Sequence, residues 1–115
     1  IYVIRIGCVV VRKYCDIKPE DILTNEERGW YILVDVRTDE EFNEGHIPGS
    51  RHIPIDQLES RLSELDKYKG QKILCICRSG VRSVMAAEYL FDQGFLHLYN
   101  LVGGLLEWNG SVESR

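Results

Sequence analysis

The chain has 115 residues, 44% of them hydrophobic and 28% charged, enough for one domain that buries roughly two thirds of its unfolded surface and too few for a second. Fourteen Lys and Arg against eighteen Asp and Glu leave a formal charge of −4, which argues against a nucleic-acid or anionic-membrane surface. No tract is biased enough in composition to read as disordered.

The run from Ile1 to Val11 is rich in β-branched residues, is interrupted by Arg5, and falls short of the ~18 to 20 apolar residues that span a bilayer. Residues 1–13 are therefore expected to add a strand at the sheet edge or against another copy of the chain. A remnant of a targeting or anchoring signal is the competing reading, and a start at Ile1 fits an excised or processed piece.

From residue 14 onward, strands and helices alternate. Lys18-Pro19-Glu20-Asp21-Ile22-Leu23 has the Pro and acids of a first helical turn. Tyr31 to Val36 is an apolar run carrying Asp35 near its end, the pattern of a strand buried on both faces. Thr38-Asp39-Glu40-Glu41 has capping-box spacing and starts a helix ending near Gly45. His46 to Ser50 is a turn, and Arg51 to Ile53 is a short strand closed by Pro54. Ile55, Leu58, Leu62 and Leu65 recur at helical intervals, predicting an amphipathic helix over 56–67 that ends at Gly70. Lys72 to Cys77 is the next buried strand, and a helix with Val84, Ala87, Leu90 and Phe91 on one face stops at Gly94. Phe95 to Leu101 is a further strand, and Gly103-Gly104 leads to a short helix carrying Trp108. Alternation of this kind predicts an α/β domain whose largely parallel sheet has helices on both faces.

In such a sheet, ligands bind beyond the carboxyl ends of the strands. Cys77 lies there, and so does Asp35 on another strand. The turn Arg78-Ser79-Gly80-Val81-Arg82 leads from Cys77 into a helix, so successive backbone N–H groups can curve toward the sulfur, with Gly80 free to take the positive φ that the curve demands. Together with the helix N-terminus and two guanidinium groups, this cradle is expected to bring the thiol below its usual pKa of about 8.5. A thiolate is the nucleophilic form. The bland reading, a buried small hydrophobe, suits most free cysteines but leaves the arginines and the turn unexplained. Cys75 should face the same side, deeper in the sheet, as core. All four cysteines, Cys8, Cys15, Cys75 and Cys77, sit without the spacing of a disulfide framework, as reduced thiols of a cytosol-like compartment do, so a cytoplasmic location is expected. His46, His52 and His97 lack ligand spacing, and no metal or other cofactor is called for. Trp30 and Trp108 read as core or edge aromatics.

Asp35-Val36-Arg37, Glu41-Phe42, Gly45-His46-Ile47-Pro48-Gly49-Ser50, Cys77-Arg78-Ser79-Gly80-Val81-Arg82-Ser83, Ala86-Ala87, Gly94-Phe95 and Asn100-Leu101-Val102-Gly103-Gly104 with Trp108 follow one another in an order that resembles the rhodanese-like sulfurtransferases over about residues 14–110. The resemblance implies a rhodanese-like domain over 14–115 with a mostly parallel five-stranded sheet. It also implies that Cys77 carries sulfur as a persulfide within the loop Arg78, Ser79, Gly80, Val81, Arg82 and Ser83. The implied donor is a small anion such as thiosulfate, and the implied acceptor is cyanide, a small thiol or a protein thiol. Asp35 is expected to pair with a loop arginine, and Arg37 to bind loop carbonyls, or else the two form a surface ion pair of little weight. His46 is expected to be structural. Two other readings stand beside this one. In the first, the chain is a sulfur-carrier or docking module of a larger protein. In the second it is a cysteine phosphatase, although four residues between Cys77 and Arg82 make a ring of N–H donors tighter than a phosphate needs.

Overall fold

The computed structural model describes residues 3–5, 8–10, 12–22 and 28–115. Strands β1 (Val3–Arg5) and β2 (Cys8–Val10) pair antiparallel as a two-stranded sheet of their own, Val3 opposite Val10. The expected extra strand on the main sheet is thus not what the described part of the opening segment forms. Its two β-branched runs satisfy each other's backbone groups instead.

Five further strands build the main sheet: β3 (Cys15–Ile17), β4 (Ile32–Asp35), β5 (Arg51–His52), β6 (Lys72–Ile76) and β7 (His97–Leu101). They lie in the order β3-β7-β6-β4-β5. Every neighbouring pair is parallel, so the sheet expected to be mostly parallel is parallel throughout. Both faces are covered, which is why β6 can be a near-continuous apolar run. Ile73, Cys75 and Cys77 point to one side, where they meet Leu58, Leu65 and Ala86, Ala87 and Leu90 of helix α2 (Arg82–Asp92). Leu74 and Ile76 point to the other side and meet Ile22, Ile47 and Trp108. Trp30, by contrast, is exposed.

Helix α1 (Asp39–Glu44) starts as its sequence demands. The Thr38 hydroxyl accepts from the Glu41 amide at 3.2 Å, and the Glu41 carboxylate accepts from the Thr38 amide at 3.1 Å. Two other helical expectations change form. Pro19–Ile22 is a 3-10 turn, and Leu23 lies outside the described residues. The segment expected as one amphipathic helix over 56–67 is two 3-10 pieces, Ile55–Gln57 and Leu62–Tyr68, with Arg61 at the break in a non-helical conformation. Leu58 and Leu65 are buried as expected. Apolar spacings of three and four suit a short 3-10 segment as well as an α-helix, so periodicity alone could not separate them.

The chain leaves β4 toward β5 and leaves β6 toward β7, in opposite directions across the sheet. The crevice between the carboxyl ends of β4 and β6 is therefore the topological switch point, and Asp35 and Cys77 reach it from adjacent strands. Asp35 is fully buried there. Its carboxylate receives the Arg37 guanidinium at 2.7 to 3.1 Å and the Arg37 amide at 3.0 Å. Arg37, itself 5% exposed, donates onward to the Glu41 and Gly45 carbonyls at 3.3 and 2.7 Å. Neither a surface pair nor a partnership with a Cys77-loop arginine results: Asp35 pairs two residues along its own chain, and Arg37 ties β4 to α1. Asp35→Ala, which strands a buried cation, is expected to cost about 3 to 5 kcal/mol, read as a lowered urea midpoint with an unchanged slope.

Candidate active site

Cys77 follows directly on β6, and Arg82 opens α2. Between them the chain turns with Gly80 at φ +96°, the left-handed region that glycine takes without strain. Its amide donates to the Cys77 sulfur at 3.0 Å. Helix α2 has neither a side-chain cap nor an acid in its first turn, so its N-terminal amides and dipole are left for the sulfur to answer.

A second piece of chain holds the turn from behind. Gly104 has φ +57°, and a Cβ there would lie 2.3 Å from the Cys77 carbonyl oxygen. The bare backbone of the 3-10 turn Gly104–Glu107 thereby comes close enough for Leu105 to donate to the Cys77 carbonyl at 2.9 Å and Leu106 to the Arg78 carbonyl at 3.1 Å. With these carbonyls engaged outward, the amides of the loop face the sulfur.

The Cys77 thiol is displaced below its ordinary pKa. Burial is the largest single influence and opposes ionisation. It is outweighed by hydrogen bonds from the Ser83 hydroxyl and amide and from the Gly80 and Ser79 amides. Cys75, on the same side one pleat deeper, has no such donors, and burial pushes its thiol up to about 12, with the neighbouring Cys77 adding to the shift. The two thiols thus part company: Cys77 is the more readily ionised, and Cys75 is core. Cys77 is 1% exposed. A cavity of about 300 Å³ is lined by Arg78 of the Cys77 loop together with Arg37, Glu41 and Leu106.

The model of the Rhodanese-like domain matches residues 18–111. The chain belongs to the rhodanese-like domain family. Among its relatives is Bacillus subtilis YrkF, provisionally named a sulfur carrier. It is 43% identical over 81 residues, which are 70% of this chain and 43% of that protein, so this rhodanese-like chain spans less than half of that relative. YtwF of the same organism, provisionally named a sulfurtransferase, is 41% identical over 96 residues, covering 84% of this chain and 87% of its own. A crystal structure of a rhodanese-related protein from Thermoplasma volcanium superposes with a TM-score of 0.78 at 30% identity, over 89% of this chain and 100% of that one.

Within this rhodanese-like domain the arginines are placed otherwise than the sequence implies. Arg82 spends its fork on Glu41, at 2.7 and 2.9 Å, so it is close enough to the sulfur to feel its charge but is already paired. Arg78 sits exposed at the cavity. Val81 is exposed, and Ser83 is fully buried, its hydroxyl 3.2 Å from the sulfur. The cradle consequently rests on amides and one hydroxyl more than on guanidinium charge. His46 is turned away from it, stacked on Phe42 and bonded to the Phe42 carbonyl at 2.8 Å. Sequence reasoning missed Glu41 as the partner of Arg82, because its capping-box role already accounted for it and the pair spans 41 positions. Asn100 and Asp16 were missed as well, although Asn100 stands in the Asn100-to-Gly104 motif.

The Glu41 carboxyl is held down to about 2, first by the Arg82 hydrogen bond, against the opposing effect of burial, and then by the Thr38 amide. A depressed folded-state pKa contributes stability above the unfolded value of about 4.3, and that stability is lost as pH falls through about 2. The stability gap between the native chain and Glu41→Gln should therefore be constant above about pH 5 and close on acidification, measured by urea unfolding at several pH values. In iodoacetamide titrations, Ser83→Ala should move the Cys77 midpoint upward by more than Arg82→Ala does. The reverse order would return the main role to the guanidinium.

Proposed function

We propose that this rhodanese-like domain is a sulfurtransferase that moves a sulfane sulfur from an anionic donor, thiosulfate or a persulfide, to a thiophilic acceptor through Cys77. The observation that carries this reading is the Cys77 sulfur at the uncapped N-terminus of α2, receiving the Gly80 amide at 3.0 Å. The Cys77 thiolate attacks the outer sulfur of the donor, forming a new S–S bond. The bond between that sulfur and the leaving group breaks, and the leaving group, sulfite when the donor is thiosulfate, keeps the electron pair. An acceptor thiolate or cyanide then attacks the outer sulfur, and the bonding pair returns to Cys77 as thiolate. The negative charge resides on sulfur before and after each step, so a fixed ring of N–H dipoles serves every stage without reorganising. Arg78, exposed at the cavity, is the cation placed to attract the donor.

Sulfur transfer suits this site better than phosphoryl transfer. A phosphatase loop directs its arginine at the oxygens above the sulfur, whereas Arg82 is bonded to Glu41 through both terminal nitrogens. A reading as a sulfur-carrier module is favoured by the greater length of the carrier-named relative. Asp35 and Arg37 serve as supports that position the crevice and take no part in transfer. The free thiols Cys15, Cys75 and Cys77 support a reducing, cytoplasm-like setting, and no helix among the described residues is long and apolar enough to cross a membrane.

Intact-mass measurement after incubation with thiosulfate should show one added sulfur, lost on treatment with cyanide or dithiothreitol. Cys77→Ser should gain none, and Cys75→Ser should gain it as the native chain does. Sulfur on Cys77→Ser would refute the assignment of the carrier. Rapid thiosulfate–cyanide turnover marks a free-standing enzyme, and loading only from a cysteine desulfurase marks a carrier.

A further inference from the structure

From Ser83 of the cradle a line of polar side chains continues to Asn100 and Asp16, which the sulfur chemistry does not use. The Ser83 hydroxyl lies 3.2 Å from the Cys77 sulfur and also donates to Asn100 Oδ1. Asn100 Nδ2 donates to Asp16 Oδ1 at 3.1 Å. Ser83 and Asn100 are 0% and 4% exposed, whereas Asp16 is on the surface. Asn100 is on β7 and Asp16 on β3, in register opposite each other.

The donor count of this line is restrictive. A serine hydroxyl has one hydrogen. An ionised carboxylate only accepts, so Asp16 holds Asn100 with its NH2 outward and its carbonyl oxygen inward toward Ser83. Two acceptors, Asn100 Oδ1 and the ionised sulfur, then face a single hydrogen. While it goes to Asn100, the Ser83 oxygen presents lone pairs to the sulfur and suits the protonated thiol. Once the thiol ionises, the hydrogen must swing to sulfur and Asn100 Oδ1 loses its donor in a buried place, where an unmet acceptor is costly.

We propose that Asn100, oriented by Asp16, is a positioning residue that competes with the Cys77 sulfur for the single hydroxyl hydrogen of Ser83 and so offsets part of the stabilisation that the cradle gives the thiolate. The competition tempers the reactivity that the amides confer: the thiolate gains the hydroxyl as a donor only when the hydroxyl turns away from Asn100. The consequence for sulfur transfer rests on the function proposed above, but the hydrogen-bond competition itself does not.

The experiment measures the rate of iodoacetamide alkylation of Cys77 against pH, read by mass on the peptide that contains it, in a cycle of variants. Asn100→Leu removes the competing acceptor, and below the thiol midpoint it should accelerate alkylation roughly two- to tenfold, the weight of one ordinary hydrogen bond. In a Ser83→Ala background the same substitution should give no acceleration. Asp16→Ala, a surface change that leaves the core intact, frees the Asn100 amide to turn its NH2 toward Ser83. It should act in the same direction, and its effect should also vanish without the Ser83 hydroxyl. The other charged and titratable groups on the elements around the thiol are Lys72 and Cys75 on β6, Asp35 and Arg37 on and after β4, Arg78 on the loop, Arg82 with Glu41, Glu88, Tyr89 and Asp92 on α2, His97 and Tyr99 on β7, and Glu107 on the 3-10 turn behind the loop. All of these are common to every arm of the cycle. Equal acceleration with and without Ser83 would mean a through-space or packing effect and would overturn the proposal, as would no acceleration in the Ser83-containing chain. A chain that shows the coupling yet takes up no sulfur keeps this inference and loses the sulfur-transfer reading.

Discussion

One sulfur atom at the N-terminus of one helix organises this molecule. Helix α2 begins with no acid in its first turn and no side-chain cap, an arrangement that leaves donors unmet unless something else accepts them. The Cys77 sulfur is what accepts. Because the acceptor is more useful to those donors as an anion, helix capping and ionisation of the thiol are the same interaction, and the fold gains from the state that the proposed sulfur transfer requires.

That interaction holds only while the loop keeps its curve, and three devices from different parts of the chain maintain it. Gly104 allows the backbone of residues 104–107 to lie against the Cys77 and Arg78 carbonyls. The buried Asp35–Arg37 pair binds the end of β4 to the carbonyls of α1 and Gly45, fixing the far wall of the crevice. Glu41, at the first turn of that same helix, reaches Arg82 at the first turn of α2. Two helix starts are thereby clamped together across the switch point, and the guanidinium that could have neutralised the thiolate is engaged elsewhere. A sulfur activated chiefly by dipoles keeps its charge available to a partner, whereas a direct ion pair would quench part of its nucleophilicity.

The elements legible in the sequence were those set by short-range physics. The Thr38–Glu41 box forms as spelled, Gly80 takes the positive φ that the turn demands, and Cys75 and Cys77 share a face because strand side chains alternate. Where the sequence misled, two local solutions were equally compatible with the same letters. Leu58, Leu62 and Leu65 suit a 3-10 path as well as an α-helix. The opening β-branched run can pair with itself as readily as with a sheet edge. Arg82 beside a cysteine reads as its counter-ion until the position of Glu41 is known.

The sequence by itself determined the alternation of strands and helices, from which a parallel sheet follows as the packing solution, and the presence of a cysteine at a strand-to-helix turn, since both the alternation and the turn depend on residues within a few positions of one another. Only the tertiary structure decided which charges meet and which hydrogen serves which acceptor. Glu41 with Arg82, Ser83 with Asn100, and Asn100 with Asp16 lie 41, 17 and 84 positions apart. Hydrogen bonds of that span are set by the packing of whole elements, and geometry within a few tenths of an ångström, not residue type, selects the partner.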